Sequence, residues 1–395
     1  MVGYMNIYEV LGVNSPTKLK EISKEINISS ARLKYYAENN IFPFEIDVKK
    51  MCEYLKIDEL KLKLLLGCVD EEVLCEISRN VDAIYEVLSR ESKKESELTT
   101  VTEVFQTDLG TLYQGDCLDL MKSMPSESVD LIFADPPFNL KKKYESGYED
   151  DMSKEEYILW TEKWLLQCVR ILKEGGALFV WNLPKWSTHI SSVLNKYLEF
   201  KHWIAVDIKY SLPIKNRLYP SHYGLLYYTK GKKANTFNKT RLPLEICPKC
   251  TGDIHDYGGY KGKLNPKGIS LTDVWSDISP VRHSKYKTRG SNELPLKLLD
   301  RVITLASKEG DVIFDPFGGS GTSYVVAEIL NRKWIGIEIG PTDLIEKRFK
   351  DIQWQEEFIH ELHQNYNVLF TEKTKAKRVK NGYWTLETLK NKEKI

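Results

Sequence analysis

The sequence lacks the features that mark a membrane or secreted protein. It has no run of 18 apolar residues and no secretory signal, so we expect a cytoplasmic protein that does not enter a membrane. Cysteine is scarce, with seven residues in no dense pattern, which predicts reduced thiols rather than a disulfide framework. No internal repeat is present. The 395 residues, 42% of them hydrophobic, can bury a large core and form two or three domains.

Two common nucleotide-binding signatures are also missing. The loop Gly318-Gly319-Ser320-Gly321-Thr322 lacks the Gly-x-Gly-x-x-Gly spacing expected for a pyrophosphate. No lysine follows it, as a phosphate-binding P-loop would require. These absences weaken the dinucleotide-dependent dehydrogenase and ATP-binding interpretations.

The same loop nevertheless lies in a β-loop-α-β unit. Residues 311–315 have the apolar pattern of a buried strand, 323–330 that of a helix, and 333–339 that of a second strand. Glu338 ends the second strand about 20 residues after the loop, where an acidic side chain can bind both hydroxyls of a ribose. The unit therefore predicts an adenosine-type cofactor, the alternative being a glycine turn that serves only tight packing.

A second motif, Asp135-Pro136-Pro137-Phe138, follows the apolar run 129–134. Its carboxylate should thus lie at the carboxyl end of a strand, where α/β sheets bind ligands. The two prolines fix the backbone and remove two N–H donors, leaving rigid acceptors beside an aromatic ring. Such a cluster suits an exocyclic amino group, whose hydrogens Asp135 and the Pro136 carbonyl could accept. A plain turn after a strand is the alternative.

Together, and in this order, the two motifs resemble the β subgroup of S-adenosylmethionine-dependent amino-methyltransferases of DNA. The resemblance covers residues 108–350 and includes Gly115-Asp116-Cys117 before the first motif. It implies an α/β fold with a Rossmann-like, mostly parallel sheet of seven strands and helices on both faces. It also implies S-adenosylmethionine as cofactor and double-stranded DNA as partner, and allows a cognate restriction endonuclease and a homodimer.

The resemblance assigns roles residue by residue. In the catalytic motif Asp135 and Pro136 would hold the target amine, Pro137 would complete the rigid turn and Phe138 would stack on the flipped base. Where many members have Thr-x-Lys-Pro before the cofactor loop, this chain has Ser-Asn-Glu-Leu-Pro, and Asn292 is the candidate for the methionine carboxylate. The cofactor set comprises Asp116 at the adenine, Asn292, Asp315 near the amino-acid end, Phe317, Gly319, Gly321 and Thr322 around the pocket, and Glu338 at the ribose.

The target base depends on the first residue of the catalytic motif. In the family that this chain resembles, aspartate usually accompanies the N6 of adenine and Ser-Pro-Pro the N4 of cytosine. We therefore expect an adenine-N6 DNA methyltransferase of a restriction-modification or phage system. The alternatives are a cytosine-N4 enzyme and a non-catalytic DNA-binding regulator with a methyltransferase-like domain. Methylation at carbon 5 would need a thiolate, and no Pro-Cys pair of the usual kind occurs.

Charge is segregated although the whole chain is only +1. Between residues 209 and 289 there are sixteen Lys and Arg against five Asp and Glu, with tyrosines among them. This composition predicts a target-recognition insertion, the alternative being a solvated basic face. A DNA-contacting strip is expected at its end, formed by Arg282, His283, Lys285, Lys287 and Arg289. Cys247 and Cys250 form half of a zinc-ribbon pattern without the other half, so no metal is predicted.

The ends of the chain predict separate elements. Residues 1–90 should form a helical domain with helices at 17–28, 29–40 and 48–65 and further helix from 69. Its residues 19–36 loosely resemble the helix-turn-helix of MerR-type regulators, which leaves a DNA-contacting role and a docking or structural role open. Residues 91–107 are predicted to be a linker, 108–350 the catalytic domain, and 351–395 a basic C-terminal tail.

Overall fold

The structure of the chain is a computed structural model. It describes residues 5–39, 41–89, 100–140, 142–143, 149–207, 215–216, 218, 220–246, 263–279, 281 and 293–388. The chain divides into two compact units, Met1–Glu97 with Ser153–Leu159 and Leu98–Met152 with Trp160–Ile395. Among the described residues, no helix combines the length and apolarity needed to cross a membrane.

The N-terminal unit is helical, as predicted. Its core is formed by apolar side chains that recur at helical spacing, among them Ile22, Leu33 and Met51. Asn6 forms a capping box at the first helix, and Ser15 caps the second. The helices are α1 (Ile7–Leu11), α2 (Pro16–Glu25), α3 (Ser30–Asn39), α4 (Glu45–Leu55), α5 (Glu59–Leu65), α6 (Glu71–Arg79) and α7 (Val81–Ser89).

The prediction of one helix over residues 48–65 was wrong. Lys56 adopts a left-handed conformation with φ 55° and ends α4. The Asp58 side chain then accepts a hydrogen bond from the Lys61 N–H and starts α5. The local cap therefore prevailed over an apolar pattern that continues through the turn.

The second unit contains the predicted mostly parallel sheet. Among the described residues it has nine strands in the order β1-β2-β13-β12-β3-β6-β8-β7-β11. The resemblance implied seven strands; the structure has two more, and its edge strands are β1 and β11. The bounds are β1 (Thr102–Gln106), β2 (Gly110–Gln114), β3 (Val129–Ala134), β6 (Leu172–Asn182), β7 (Glu199–Asp207), β8 (His222–Thr229), β11 (Val274–Trp275), β12 (Val312–Asp315) and β13 (Lys333–Glu338).

Neighbouring strands of this sheet pair in parallel except at β1–β2, β6–β8 and β7–β8. Short two-residue strands pair elsewhere, namely β4 (Lys142–Lys143) with β5 (Glu149–Asp150) and β9 (Arg241–Leu242) with β10 (Ile269–Ser270). Strand β8 lies inside the range predicted as an insertion. Its apolar residues Leu225 and Leu226 are fully buried, so the chain returns to the sheet in the middle of the basic region.

The helices of this unit are α8 (Cys117–Ser123), α9 (Lys154–Ile171), α10 (Pro184–Leu194), α11 (Leu296–Ala306), α12 (Thr322–Ile329), α13 (Asp343–Lys350), α14 (Gln353–Gln364) and α15 (Glu372–Lys380). Helices α11 to α14 pack on the sheet through a core that includes Phe133, Phe179 and Val325. The first turns of α9 belong to the N-terminal unit.

The segment predicted as a basic tail is folded over residues 351–388. Ile359 of α14 is buried in the main core. Arg378 of α15 is buried, and its guanidinium lies over the rings of Phe370 and Trp384 at 4.8 and 4.9 Å. The high lysine content obscured these apolar and aromatic side chains. Ile359 attaches the segment to the core of the unit, and the rings of Phe370 and Trp384 pack on Arg378 within the segment.

Candidate active site

Three carboxylates lie at one edge of the sheet. Strands β13, β12 and β3 are neighbours and run parallel, with Asp315 opposite Gly336 and Phe314 opposite Ile132. Asp315 ends β12, Glu338 ends β13, and Asp135 immediately follows β3. Because parallel strands present their carboxyl ends together, both motifs predicted from the sequence open onto the same side of the sheet.

The catalytic motif lies beside a set of aromatic rings. Pro136 is buried, whereas Asp135 and Phe138 are partly exposed. The Phe138 ring lies 5.9 Å from that of Tyr223 on β8, and Tyr223 lies 4.7 Å from Trp181 on β6. Burial and the nearby Asp135 carboxylate raise the pKa of Tyr223. Together these rings, which we call the aromatic wall (Phe138, Trp181 and Tyr223), offer a stacking surface next to a carboxylate.

Hydrogen bonds fix the chain just after the motif. The Trp186 indole N–H donates to the Phe138 carbonyl at 2.7 Å. The Asn139 side chain donates to the Met152 carbonyl at 2.8 Å and accepts from the Met152 N–H at 2.9 Å. The position of Phe138 is therefore set by groups outside the motif. Sequence reasoning missed Trp181 and Trp186, and it placed Tyr223 only in a basic insertion.

The cofactor loop, residues 318–322, bends sharply between β12 and α12. Gly319 and Gly321 have φ of 53° and 73°, in the region that favours glycine. A Cβ at Gly321 would lie 2.7 Å from Ile345, so the loop also packs closely on α13. The Gly319 N–H donates to one Glu338 oxygen at 2.7 Å, and the Gly340 N–H donates to the other at 2.9 Å. Glu338 thus holds the loop as well as ending the strand.

The surroundings of Glu338 fit an adenosine group. The Gly115 N–H donates to the Glu338 carbonyl at 3.1 Å, which brings the chain before α8 to the end of β13. Asp116 caps α8 by accepting from the Leu118 N–H at 2.7 Å. A Cβ at Gly318 would lie 2.9 Å from the Ile337 carbonyl oxygen, so a larger residue would fill the space beside Glu338. Carboxylates and bare backbone at this corner match the hydroxyls and amines of an adenosine.

Asp315 has a different environment from the other two carboxylates, because it is only 4% exposed. One of its oxygens accepts from the Phe317 N–H at 2.9 Å, and the other accepts from the Ser323 hydroxyl. Burial, helped by the charge of Glu338, raises the pKa of Asp315 to about 7 although these two hydrogen bonds oppose the shift. These partners flank the loop on either side, and the Tyr324 hydroxyl donates to the Asp315 carbonyl at 3.0 Å.

This shift makes a pH-dependent contribution to stability. A carboxyl whose folded pKa exceeds its unfolded value stabilises the fold most below the unfolded pKa, near 4, and loses that contribution as pH rises through about 7. We expect Asp315→Asn to remove this loss. The Tm of the variant minus the Tm of the wild type should therefore increase from pH 4 to pH 8. Thermal unfolding without cofactor measures it. Asp343→Asn, at an exposed site on α13, is the control, and a constant difference for Asp315→Asn would contradict the argument.

The remaining predicted residues separate into two groups. Phe317 packs between Trp160 and Trp164, with ring centroids 5.7 and 5.2 Å apart. The Thr322 hydroxyl accepts from Arg348 at 2.9 Å. Several predictions lie outside the described residues: Asn292, Arg282, His283, Lys285, Lys287, Arg289 and the cysteine pair Cys247 and Cys250. Within the described ranges, no cluster of three or more His, Cys, Asp or Glu could hold a metal ion.

Comparison with known proteins decides the family. Residues 129–345, which include both motifs, match the N6/N4 family described as DNA methylase. The chain is 47% identical over 374 residues to the type II methyltransferase M.BamHI of Bacillus amyloliquefaciens, covering 93% of this chain and 88% of that protein. This chain belongs to the N6/N4 DNA methylase family. The resemblance inferred from the two motifs is thereby confirmed, and members of the family use S-adenosylmethionine.

Other similar proteins cover the catalytic part. The chain is 32% identical over 240 residues to the DNA adenine methyltransferase YhdJ of Escherichia coli K12, covering 60% of this chain and 80% of that one. A solved structure of the cytosine-N4-specific PvuII DNA methyltransferase is 21% identical and covers 64% of this chain and 93% of its own, with a TM-score of 0.46. The match to M.BamHI over 93% of the chain and the match to the family show that the methylase is a type II DNA methyltransferase of the N6/N4 family.

Proposed function

We propose that this methylase transfers the methyl group of S-adenosylmethionine to the exocyclic amino group of a base flipped out of double-stranded DNA. The observation that carries the proposal is the single sheet edge shared by Asp135, Glu338 and the cofactor loop. In this proposal Asp135 accepts hydrogens from the amine, Glu338 binds the ribose, and the aromatic wall stacks on the base. A base inside a duplex could not reach this edge, so flipping is required.

The chain's own residues act on the base rather than on the sulfur. When bound, the cofactor supplies a methyl group made electrophilic by its sulfonium. Asp135 and the Pro136 carbonyl accept the hydrogens of the amino group, which turns the nitrogen lone pair towards the methyl carbon. The Asp135 carboxylate can then take the proton that the methylated nitrogen releases. Phe138 stacks on the base, Tyr223 packs against the Phe138 ring, and Trp181 packs against Tyr223.

A covalent route through cysteine has no support in the described residues near the sheet. Cys117 and Cys168 are both buried. Burial raises the pKa of both thiols, so neither forms the thiolate that carbon-5 methylation needs. Direct attack of the amino nitrogen on the methyl carbon of the cofactor, with the sulfur as leaving group, is the chemistry that the site supports.

The first residue of the catalytic motif, read by resemblance to the family, indicates which base is methylated. Asp135 in the first position favours adenine N6, and we propose adenine as the first candidate. Cytosine N4 is the second candidate, because the N6/N4 family includes both reactions. Because a relative is a type II methyltransferase, we propose that this methylase acts in the cytoplasm together with a cognate restriction endonuclease. We propose a homodimer on resemblance alone.

Labelled nucleosides test this function and the base together. The purified protein is incubated with methyl-labelled S-adenosylmethionine and unmethylated mixed-sequence DNA, which is then digested to nucleosides. Label on N6-methyladenine supports the first candidate, and label on N4-methylcytosine supports the second with the same mechanism. Cofactor binding without label on any DNA would contradict the proposal and favour a non-catalytic DNA-binding role.

A further inference from the structure

Arg348 is a buried arginine that meets the cofactor loop from the side of α13. It is only 3% exposed. Its Nη1 donates to the Thr322 hydroxyl at 2.9 Å, to the Ser320 hydroxyl at 3.2 Å and to the Ser320 carbonyl at 3.3 Å. One nitrogen of Arg348 therefore lies within hydrogen-bond distance of three oxygen atoms of the loop.

The guanidinium is itself held from two directions. Glu293, which precedes α11, accepts from Nη1 at 2.8 Å, and its side chain is as deeply buried as that of Arg348. Gln355 of α14 accepts from Nε at 2.7 Å, and its amide returns a hydrogen bond to the Arg348 carbonyl at 3.1 Å. A buried charge without a partner costs free energy, so the guanidinium stays where Glu293 and Gln355 can pair with it. Arg348 is therefore a fixed point against which the loop is set.

The loop needs such a fixed point because glycine leaves its backbone free. On one side Gly319 is held by Glu338, a residue whose carboxylate is also expected to bind the cofactor ribose. On the other side the loop is held by Arg348. Binding of the cofactor would therefore engage Glu338, whereas the contacts of Arg348 with Ser320 and Thr322 would remain.

We propose that Arg348 is a positioning residue that preorganises the cofactor loop through Ser320 and Thr322, and so determines the affinity for S-adenosylmethionine without touching the DNA. This inference rests on the proposed function, since it presumes that the loop binds that cofactor. Preorganised loops bind more tightly because less ordering remains to be done on binding.

Arg348→Lys is the principal test. A lysine keeps the charge opposite Glu293, but one ammonium cannot reach Glu293, Gln355 and both loop residues together. We expect the Kd for S-adenosylmethionine, measured by calorimetry without DNA, to rise about tenfold or more, as loss of hydrogen bonds to a charged donor implies. The KM for the cofactor should rise in parallel, whereas the KM for DNA and kcat at saturating cofactor should change less than about threefold.

Arg332 supplies the matched control. It is also buried, at 8% exposure, and its guanidinium donates to the Ser307 and Leu330 carbonyls beyond the other end of α12. Arg332→Lys should lower Tm without changing the Kd for the cofactor. A rise in Kd of the same size in both variants would show a general loss of stability and overturn the inference.

Ser320→Ala gives a second variant in case Arg348→Lys does not fold. It removes one contact of Arg348 with the loop and leaves the Glu293 pair intact, and we expect a smaller rise in the cofactor Kd with little change in Tm. An unchanged Kd in Ser320→Ala and in folded Arg348→Lys would refute the positioning role alone. Failure of the wild-type protein to bind S-adenosylmethionine would instead refute the proposed function.

Discussion

Replacing Asp135 by alanine is expected to lower kcat for DNA methylation by about a thousandfold, the range found when one positioned acid-base or electrostatic group is lost. The reason is that the acceptor for the amino hydrogens disappears while the aromatic wall and the cofactor loop remain. The Kd for S-adenosylmethionine should change less than about threefold, because the Asp135 side chain is expected to face the base. Single-turnover methylation and calorimetry measure the two quantities separately.

Asp130, on the strand that precedes the catalytic motif, provides a control. Its carboxylate lies near the start of β3, where it accepts from Lys173 at 2.7 Å and from the Val312 N–H at 2.9 Å. Asp130→Asn should affect stability but leave kcat near the wild-type value. If Asp135→Ala lost cofactor binding together with turnover, the roles assigned to the two motifs would be wrong.

The part of this site that the sequence predicted is local. The position of Asp135 after a strand and of Glu338 at a strand end follows from short apolar runs, and both motifs carry their own turn chemistry. The parallel sheet that brings the strand ends together was inferred from family resemblance. Strand β8 was harder to predict from the sequence, because its apolar run lies inside a region dominated by basic residues.

The groups that the sequence could not predict act over long separations along the chain. Arg348 contacts Thr322 and Glu293, which lie 26 and 55 residues away. Tyr223 reaches Phe138 from a different strand. No periodicity or spacing marks such pairs, because they depend on how α13 and β8 pack against the sheet. Glu293 was noticed only as a departure from the Thr-x-Lys-Pro pattern, and the structure gives it a partner.

Replacing Glu338 by alanine is expected to weaken S-adenosylmethionine binding about a hundredfold or more, since hydrogen bonds to a charged group contribute about 1.5–3 kcal/mol each. Two effects combine. The carboxylate expected to bind the ribose is removed, and the N–H groups of Gly319 and Gly340 lose their acceptor. Calorimetry without DNA measures the Kd, and kcat at saturating cofactor should fall far less than in Asp135→Ala.

A Glu328 variant serves as the control, because it shows whether losing any hydrogen-bonded carboxylate weakens cofactor binding or whether the effect is specific to Glu338. Glu328 lies near the end of α12, and one of its oxygens accepts from the Thr107 hydroxyl at 2.8 Å and from the Trp334 indole at 2.6 Å. Glu328→Ala should therefore lower Tm while leaving the cofactor Kd unchanged. Asp135→Ala should then mainly lower kcat, whereas Glu338→Ala should mainly raise the Kd for S-adenosylmethionine. An equal loss of affinity in Glu328→Ala and Glu338→Ala would mean that Glu338 only stabilises the loop, and the ribose would need another ligand.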